Sequence, residues 1–312
     1  MEHLNKFLSR LKRPRNVKGE SLSEPFQQVR SPRRERVSEV LRLVMAGYRS
    51  AMELSIDEFK SQISVLSPIE QNVVFEGAYV ALASLDLKES GKLLRSAELF
   101  ASAQTRVPPF LQGIGGALAH LQIPITIYPK ESTEIWGWLA LSGYGYFQGY
   151  FNWFPTLQNQ AIPPGISGLA LRAYDQGVGS SIWFVGASNP DLIAHFIREF
   201  PEHRQADLWN GVGIAIGVWG LDDTRDLKRI LNKAKTFRHH LQSGVAFGVW
   251  ARHDSKAIDD YTNGASSAIC DATPAEIVEI VTGSLTTKDQ LPGNSIEFLK
   301  WKSDVMDSFR LA

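Results

Sequence analysis

The chain has 312 residues, 44% of them apolar and 21% charged, which suits a globular protein with a sizeable core. Its 33 Lys and Arg balance 33 Asp and Glu, so overall charge selects no partner class. The one cysteine, Cys270, excludes an internal disulfide, no apolar run reaches the ~20 residues of a membrane span, and no secretory signal opens the chain; the expected compartment is the cytoplasm.

Charge is uneven along the chain. Residues 1–36 carry ten Lys or Arg against four Asp or Glu, leaving the remainder acidic. Within "MEHLNKFLSRLKR", Leu4, Phe7, Leu8 and Leu11 share a helical face ringed by Lys6, Arg10, Lys12 and Arg13. Two readings stay open for residues 1–13: a frayed basic tail, or a weak peripheral contact with an anionic membrane or a partner. "SPRRER" at 31–36 lacks any recognisable reader module, and nucleic-acid binding is not expected.

Further along, one phrase recurs: "EGAYVALA" at 76, "QGIGGALA" at 112, "SGYGYFQG" at 142, "QGVGSSIW" at 176, "NGVGIAIG" at 210, "SGVAFGVW" at 243 and a weaker "NGASSAIC" at 263. Its first glycines fall at intervals of 36, 30, 34, 34, 33 and 20 residues. A period in the mid-thirties is that of stacked helix pairs, because one pair alone cannot cover its apolar face.

Between the phrases lie helices with clear punctuation. Leu192, Ile193, Phe196, Ile197 and Phe200 form one stripe, with Asn189 as cap, Pro190 in the first turn and Pro201 as stop. Asp223 caps a helix carrying Leu227, Ile230, Leu231 and Ala234. "SPIE" at 67–70 and "TPAE" at 273–276 read as capping boxes.

The phrase itself, "DLWNGVGIAIGVWG" at 207–220, is not a phosphate loop, since "EHRQADLW" before it is polar and no G-x-x-x-x-G-K-[ST] occurs. Alternation of Val212, Ile214, Ile216 and Val218 keeps a strand open. A helix over about 206–220 fits better and gathers Gly213, Gly217 and Gly220 on one side. Each interior glycine costs about 1 kcal/mol against alanine, a cost that close approach of a neighbouring helix would offset. Gly77, Gly113, Gly143, Gly177, Gly179, Gly211, Gly213 and Gly244 are accordingly expected to be structural.

The phrases "VVFEGAYVALASLD", "LSGYGYFQGYF", "YDQGVGSSIWFVG", "HRQADLWNGVGIAIGVWG" and "SGVAFGVWAR" resemble, in order and spacing, the uncharacterised proteins encoded beside enediyne polyketide synthases. The resemblance covers about residues 70–255 and is most specific at Arg204–Gly213. It implies an accessory role in making the enediyne core of a polyketide, without naming a reaction. The chain is a divergent member: Ser142, Phe147 and Gln148 stand where relatives commonly have an acid, a histidine and a glutamate. Ser180 replaces a usual arginine, and "TRVPPFLQG" replaces an aromatic and histidine cluster.

Chemistry has few candidates. Glu76, Asp175, Arg204 and Asp207 border repeat phrases and form the alternative catalytic set, against a reading as ion pairs between helices. If packing explains the glycines, Asp207→Asn is expected to leave a cooperative melt. The histidines lack H-x-x-x-H or H-E-x-x-H spacing, and no G-x-S-x-G elbow occurs, so neither metal nor cofactor is expected. Trp183, Trp209, Trp219, Trp250 and Arg252 are candidates for a ligand or partner surface, against a reading of the aromatics as core.

The fold expected is all-α, a helix-hairpin repeat resembling a tetratricopeptide solenoid. Residues 1–35 form a flexible basic arm and residues 36–312 a single domain, with repeats over about 67–286. Helices within 37–66 and 297–309 are expected to cover the ends of the stack. The expected function is an accessory or scaffold protein presenting a helical surface to a partner protein or a polyketide intermediate. An enzyme or carrier holding an apolar polyene in an aromatic pocket is the alternative.

Overall fold

The computed structural model describes residues 32–103, 107–125, 135–220, 223–285 and 295–310. The basic arm expected over 1–35 lies outside these residues, except that a helix already begins at Pro32. Among the described residues the chain is helical throughout, with no strand, so the strand alternative for the glycine phrases falls.

Fourteen helices are described. They are α1 (Pro32–Glu53), α2 (Ile56–Ile63), α3 (Pro68–Glu89), α4 (Arg95–Ala103), α5 (Val107–His120), α6 (Ile135–Phe151), α7 (Gly168–Val185) and α8 (Pro190–Glu199). After these come α9 (Glu202–Trp219), α10 (Thr224–Ala234), α11 (Arg238–Asp254), α12 (Asp260–Ala265), α13 (Pro274–Gly283) and α14 (Ser295–Ser308). π-helical turns at Phe154–Gln158 and Ser266–Cys270 follow α6 and α12.

Local chemistry sets the starts. Ser55 with Glu58, Ser67 with Glu70 and Thr273 with Glu276 close capping boxes on α2, α3 and α13. Asn189 and Asp223 cap α8 and α10 through their side-chain oxygens. Each box satisfies backbone donors that a helix start otherwise leaves unpaired.

The long helices pack in one row, in the order α1, α3, α5, α6, α7, α9, α11. The shorter α8 and α10 pack on each other beside it. Glycine makes this spacing attainable. A Cβ at Gly177 would strike the carbonyl of Ser142, and one at Gly145 the carbonyl of Tyr174, so α6 and α7 meet backbone to backbone in both directions. The same reciprocal crossing joins Gly47–Val74 and Gly77–Val44 in α1 and α3, and Gly115–Ala140 and Gly143–Gln112 in α5 and α6. It recurs at Gly179–Leu208 and Gly211–Gln176 in α7 and α9, and at Gly213–Leu241 and Gly244–Asn210 in α9 and α11. Gly113 admits the Cβ of Tyr79 between α3 and α5. All eight glycines expected to be structural therefore lie at close approaches, which restore the dispersion contacts that a missing side chain would forfeit. Gly213 meets Leu241 and Gly217 meets Val245, equal steps along both chains, so α9 and α11 run in the same direction.

Three expectations need correction. Gly220 does not pack with Gly213 and Gly217; it ends α9 at φ 77°, against the Tyr261 side chain. Gly264 of the weakest phrase has no close backbone neighbour. The carboxy-terminal helix does not cover an end of the row. Phe298 of α14 meets Trp138 of α6 in a tilted ring contact at 4.9 Å, and Lys302 reaches α7 and α9, while Trp301 packs on Phe247 and Trp250 of α11. α14 thus lies across four members of the row. Its buried face, Phe298, Trp301, Lys302, Val305 and Phe309, faces that surface.

Candidate functional site

The four candidate catalytic residues occupy three separate environments. Asp175 of α7 and Arg204 of α9 form a bidentate pair, with Nε–Oδ2 at 2.9 Å and Nη2–Oδ1 at 2.5 Å. Arg204 also donates to the Gln160 carbonyl and lies 4.9 Å over the Phe200 ring. Both side chains are under 5% exposed. Burial pushes the Asp175 carboxyl up, against the opposing pull of Arg204. This pair ties α7 to α9 and to the segment after α6.

Asp207, three residues further along α9, belongs to a different group. Burial alone would raise its carboxyl; the Lys302 ammonium and the Arg172 guanidinium outweigh it and hold the carboxyl below its usual range. Arg172 Nε lies 2.9 Å from Oδ2 and Lys302 Nζ 3.2 Å from Oδ1. Lys302 also donates to Gln176 Oε1 at 2.9 Å, an oxygen shared with the Trp138 indole N–H at 3.3 Å. The Lys302 ammonium lies 5.4 Å from the Trp138 ring, and burial pushes its pKa down. His240 stands beside these groups, and burial, with the Lys302 charge second, lowers its pKa to about 4. Sequence reasoning missed Arg172, Gln176, His240 and Lys302 here. The available signal was Lys302 itself, a cation within the apolar stripe of Phe298, Trp301, Val305 and Phe309.

Glu76 stands apart on α3, separated from α7 by α5 and α6. It has no hydrogen bond or ion pair among the described residues, and desolvation lifts its pKa to about 7. Its charge is felt by Tyr146 of α6, whose hydroxyl burial, before Glu76 and Tyr150, drives well above the usual range. An aromatic tract continues from there: Tyr146 and Tyr150 meet Phe184 of α7 at 5.4 and 6.1 Å, and Phe184 meets Trp219 of α9 at 6.3 Å. His120 of α5 contacts Tyr48 at 6.4 Å and Phe147 at 5.8 Å.

The candidate surface residues divide likewise. Trp183 and Trp209 are buried in the core and present no ring to a partner. Arg252 is buried and pairs with Asp259, the cap of α12, at 2.8 Å. Trp219 and Trp250 are half-buried, Trp250 against Trp301. Cys270 is buried, and desolvation drives its thiol far above the range of a nucleophile. Among the described residues no group of three His, Cys, Asp or Glu could hold a metal ion, and no helix is long and apolar enough to cross a membrane.

No curated protein and no solved structure matches the chain. A family profile described as "Protein of unknown function (DUF1702)" matches residues 4–309, nearly the whole length. The chain belongs to this DUF1702 family.

Proposed function

We propose that this protein is an accessory or scaffold component of enediyne-type polyketide biosynthesis. On this reading its helix row is a tetratricopeptide-like solenoid that presents one face to a partner protein or a polyketide intermediate. The observation that carries the reading is the recurring backbone-close crossing from α1 to α11, with the candidate acids spread over three environments instead of one. A row built this way offers a long continuous surface in place of a reaction centre. Asp175–Arg204 and Arg252–Asp259 are buried ion pairs, a pattern that supports a structural role for the charges.

The enediyne pathway rests on the sequence resemblance, and the test addresses it directly. Affinity capture of the full chain from cells expressing the neighbouring polyketide synthase, followed by mass spectrometry of proteins and extracted small molecules, should enrich the synthase or a conjugated polyene. Enrichment of neither, relative to an unrelated helical protein, overturns the proposal.

A second reading, an enzyme or carrier for an apolar polyene, is favoured by one feature. Glu76, with its pKa near 7, sits beside the aromatic tract of Tyr146, Tyr150 and Phe184. Loss of product in cells carrying a stably folded Glu76→Gln chain would select this reading.

A further inference from the structure

We propose that Glu76, Tyr146 and Tyr150, with Phe184 and Trp219 beside them, form a binding site for an apolar organic cation of the alkylated-ammonium class. This rests on the second reading above, that a ligand enters beside Glu76, and adds the charge which that ligand carries.

Glu76 is the exception among the enclosed acids of the row. Asp86, Asp175 and Asp207 are buried, and each is paired with a cation: Arg95, Arg204 and Lys302. Glu76 has neither a cation nor a hydrogen-bond donor among the described residues, and burial is the cause of its displaced pKa. A carboxylate held out of bulk water without a partner is costly, and a cation brought to it offsets that cost. The Tyr146 hydroxyl, which feels the Glu76 charge, has no hydrogen-bond partner among the described residues either.

The surroundings form a recess. α3 and α6 reach one another over α5 because Gly116 has no side chain; a Cβ there would lie 3.1 Å from Val80 Cγ2 and 3.6 Å from Phe147 Cδ2. Glu76, one turn before Val80, and Tyr146, next to Phe147, thereby face the same space. Glu76, Tyr146, Tyr150 and Trp219 keep part of their surface open, yet Glu76 and Tyr146 are strongly desolvated. Surface that solvent can touch, among protein dense enough to desolvate a carboxyl, lines a concavity. The rings stand as walls: Tyr146 and Tyr150 meet Phe184 at 67° and 76°, and Trp219 meets it at 69°.

Ring faces beside an unpaired carboxylate are the chemistry that holds an alkylated ammonium, since its methyl groups spread charge against the rings while the carboxylate balances it. A neutral apolar chain would strip the remaining water from Glu76 and return no partner. An anion would be repelled.

The test titrates the full chain, carrying ring-labelled carbon-13 tyrosine, with decyltrimethylammonium, 2-decanone and decanoate in turn at fixed ionic strength. At pH 8, above the Glu76 value of about 7, the carboxyl is charged. Tyr146→Phe assigns the Tyr146 ring resonance by its loss. That resonance should shift saturably with decyltrimethylammonium, at an affinity at least about tenfold above that for 2-decanone, and decanoate should give no saturable shift. Glu76→Gln should remove the preference by weakening the ammonium while leaving the ketone unchanged. A ketone bound as tightly as the ammonium, or an ammonium affinity untouched by Glu76→Gln, overturns the cation inference and leaves the apolar-ligand reading standing. No saturable shift with any of the three overturns both.

Discussion

Glu76 keeps its proton to about pH 7 in the folded chain, whereas its ordinary value is 4.5. Between those values the unfolded chain has lost a proton that the folded chain retains. The Glu76 contribution is therefore most favourable below pH 4.5 and is lost as pH rises to about 7. Urea unfolding of Glu76→Gln should show a stability advantage over the parent that grows by on the order of 2 kcal/mol between pH 5 and pH 8. A constant difference across that interval would mean the carboxyl is well solvated. From sequence, Asp207→Asn is expected to leave a cooperative melt, and the surroundings of Asp207 add a magnitude to that expectation. Between Lys302 and Arg172 the substitution strands two cations, one of them buried, and should cost about 3–5 kcal/mol by denaturant titration. Its partners were not legible in the sequence: Arg172 lies 35 residues and Lys302 95 residues from Asp207, and neither pairing has a local pattern. Arg204 and Asp175 were legible as candidates because each stands close to a glycine phrase in the sequence.

At the scale of elements, starts were readable and long-range placement was not. Ser67–Glu70, Thr273–Glu276, Asn189 and Asp223 cap where their spacing said they would, because capping chemistry is complete within four residues. α14 was legible as a helix, but its position across α6, α7, α9 and α11 depends on surface complementarity over separations of 51 to 160 residues. Trp301 measures that docking. Its ring packs among Phe247, Trp250 and Phe298, and its indole N–H donates to the Val281 carbonyl at 2.8 Å. Trp301→Ala should lower the unfolding free energy by about 3–5 kcal/mol in a denaturant titration, as for a core aromatic. A loss below about 1 kcal/mol would describe a loosely attached end helix instead.

Across the whole molecule, the organising feature is a row of helices brought close enough for backbone contact. Glycines recurring at intervals of 30–36 residues through the main phrases made this legible, because each of these close crossings needs a position without a side chain. The row also reaches back to Gly47 in α1, before the first phrase taken as a repeat, where "AGYRSA" diverges too far to align. Trp183 and Trp209 show the limit of the same reasoning, since periodicity places a ring in a unit without saying which side of the helix layer it occupies. Alanine substitution at glycine tests the row most directly, since helix propensity and packing then act with opposite signs. Gly177 and Gly211 face neighbouring carbonyls, whereas Gly283, the last residue of α13, has nothing within 4 Å of a Cβ. In equilibrium urea unfolding, Gly177→Ala and Gly211→Ala should each lose about 1–3 kcal/mol by overpacking, and Gly283→Ala should gain about 0.5–1 kcal/mol. Gains of similar size at all three positions would contradict a row held together by backbone contact.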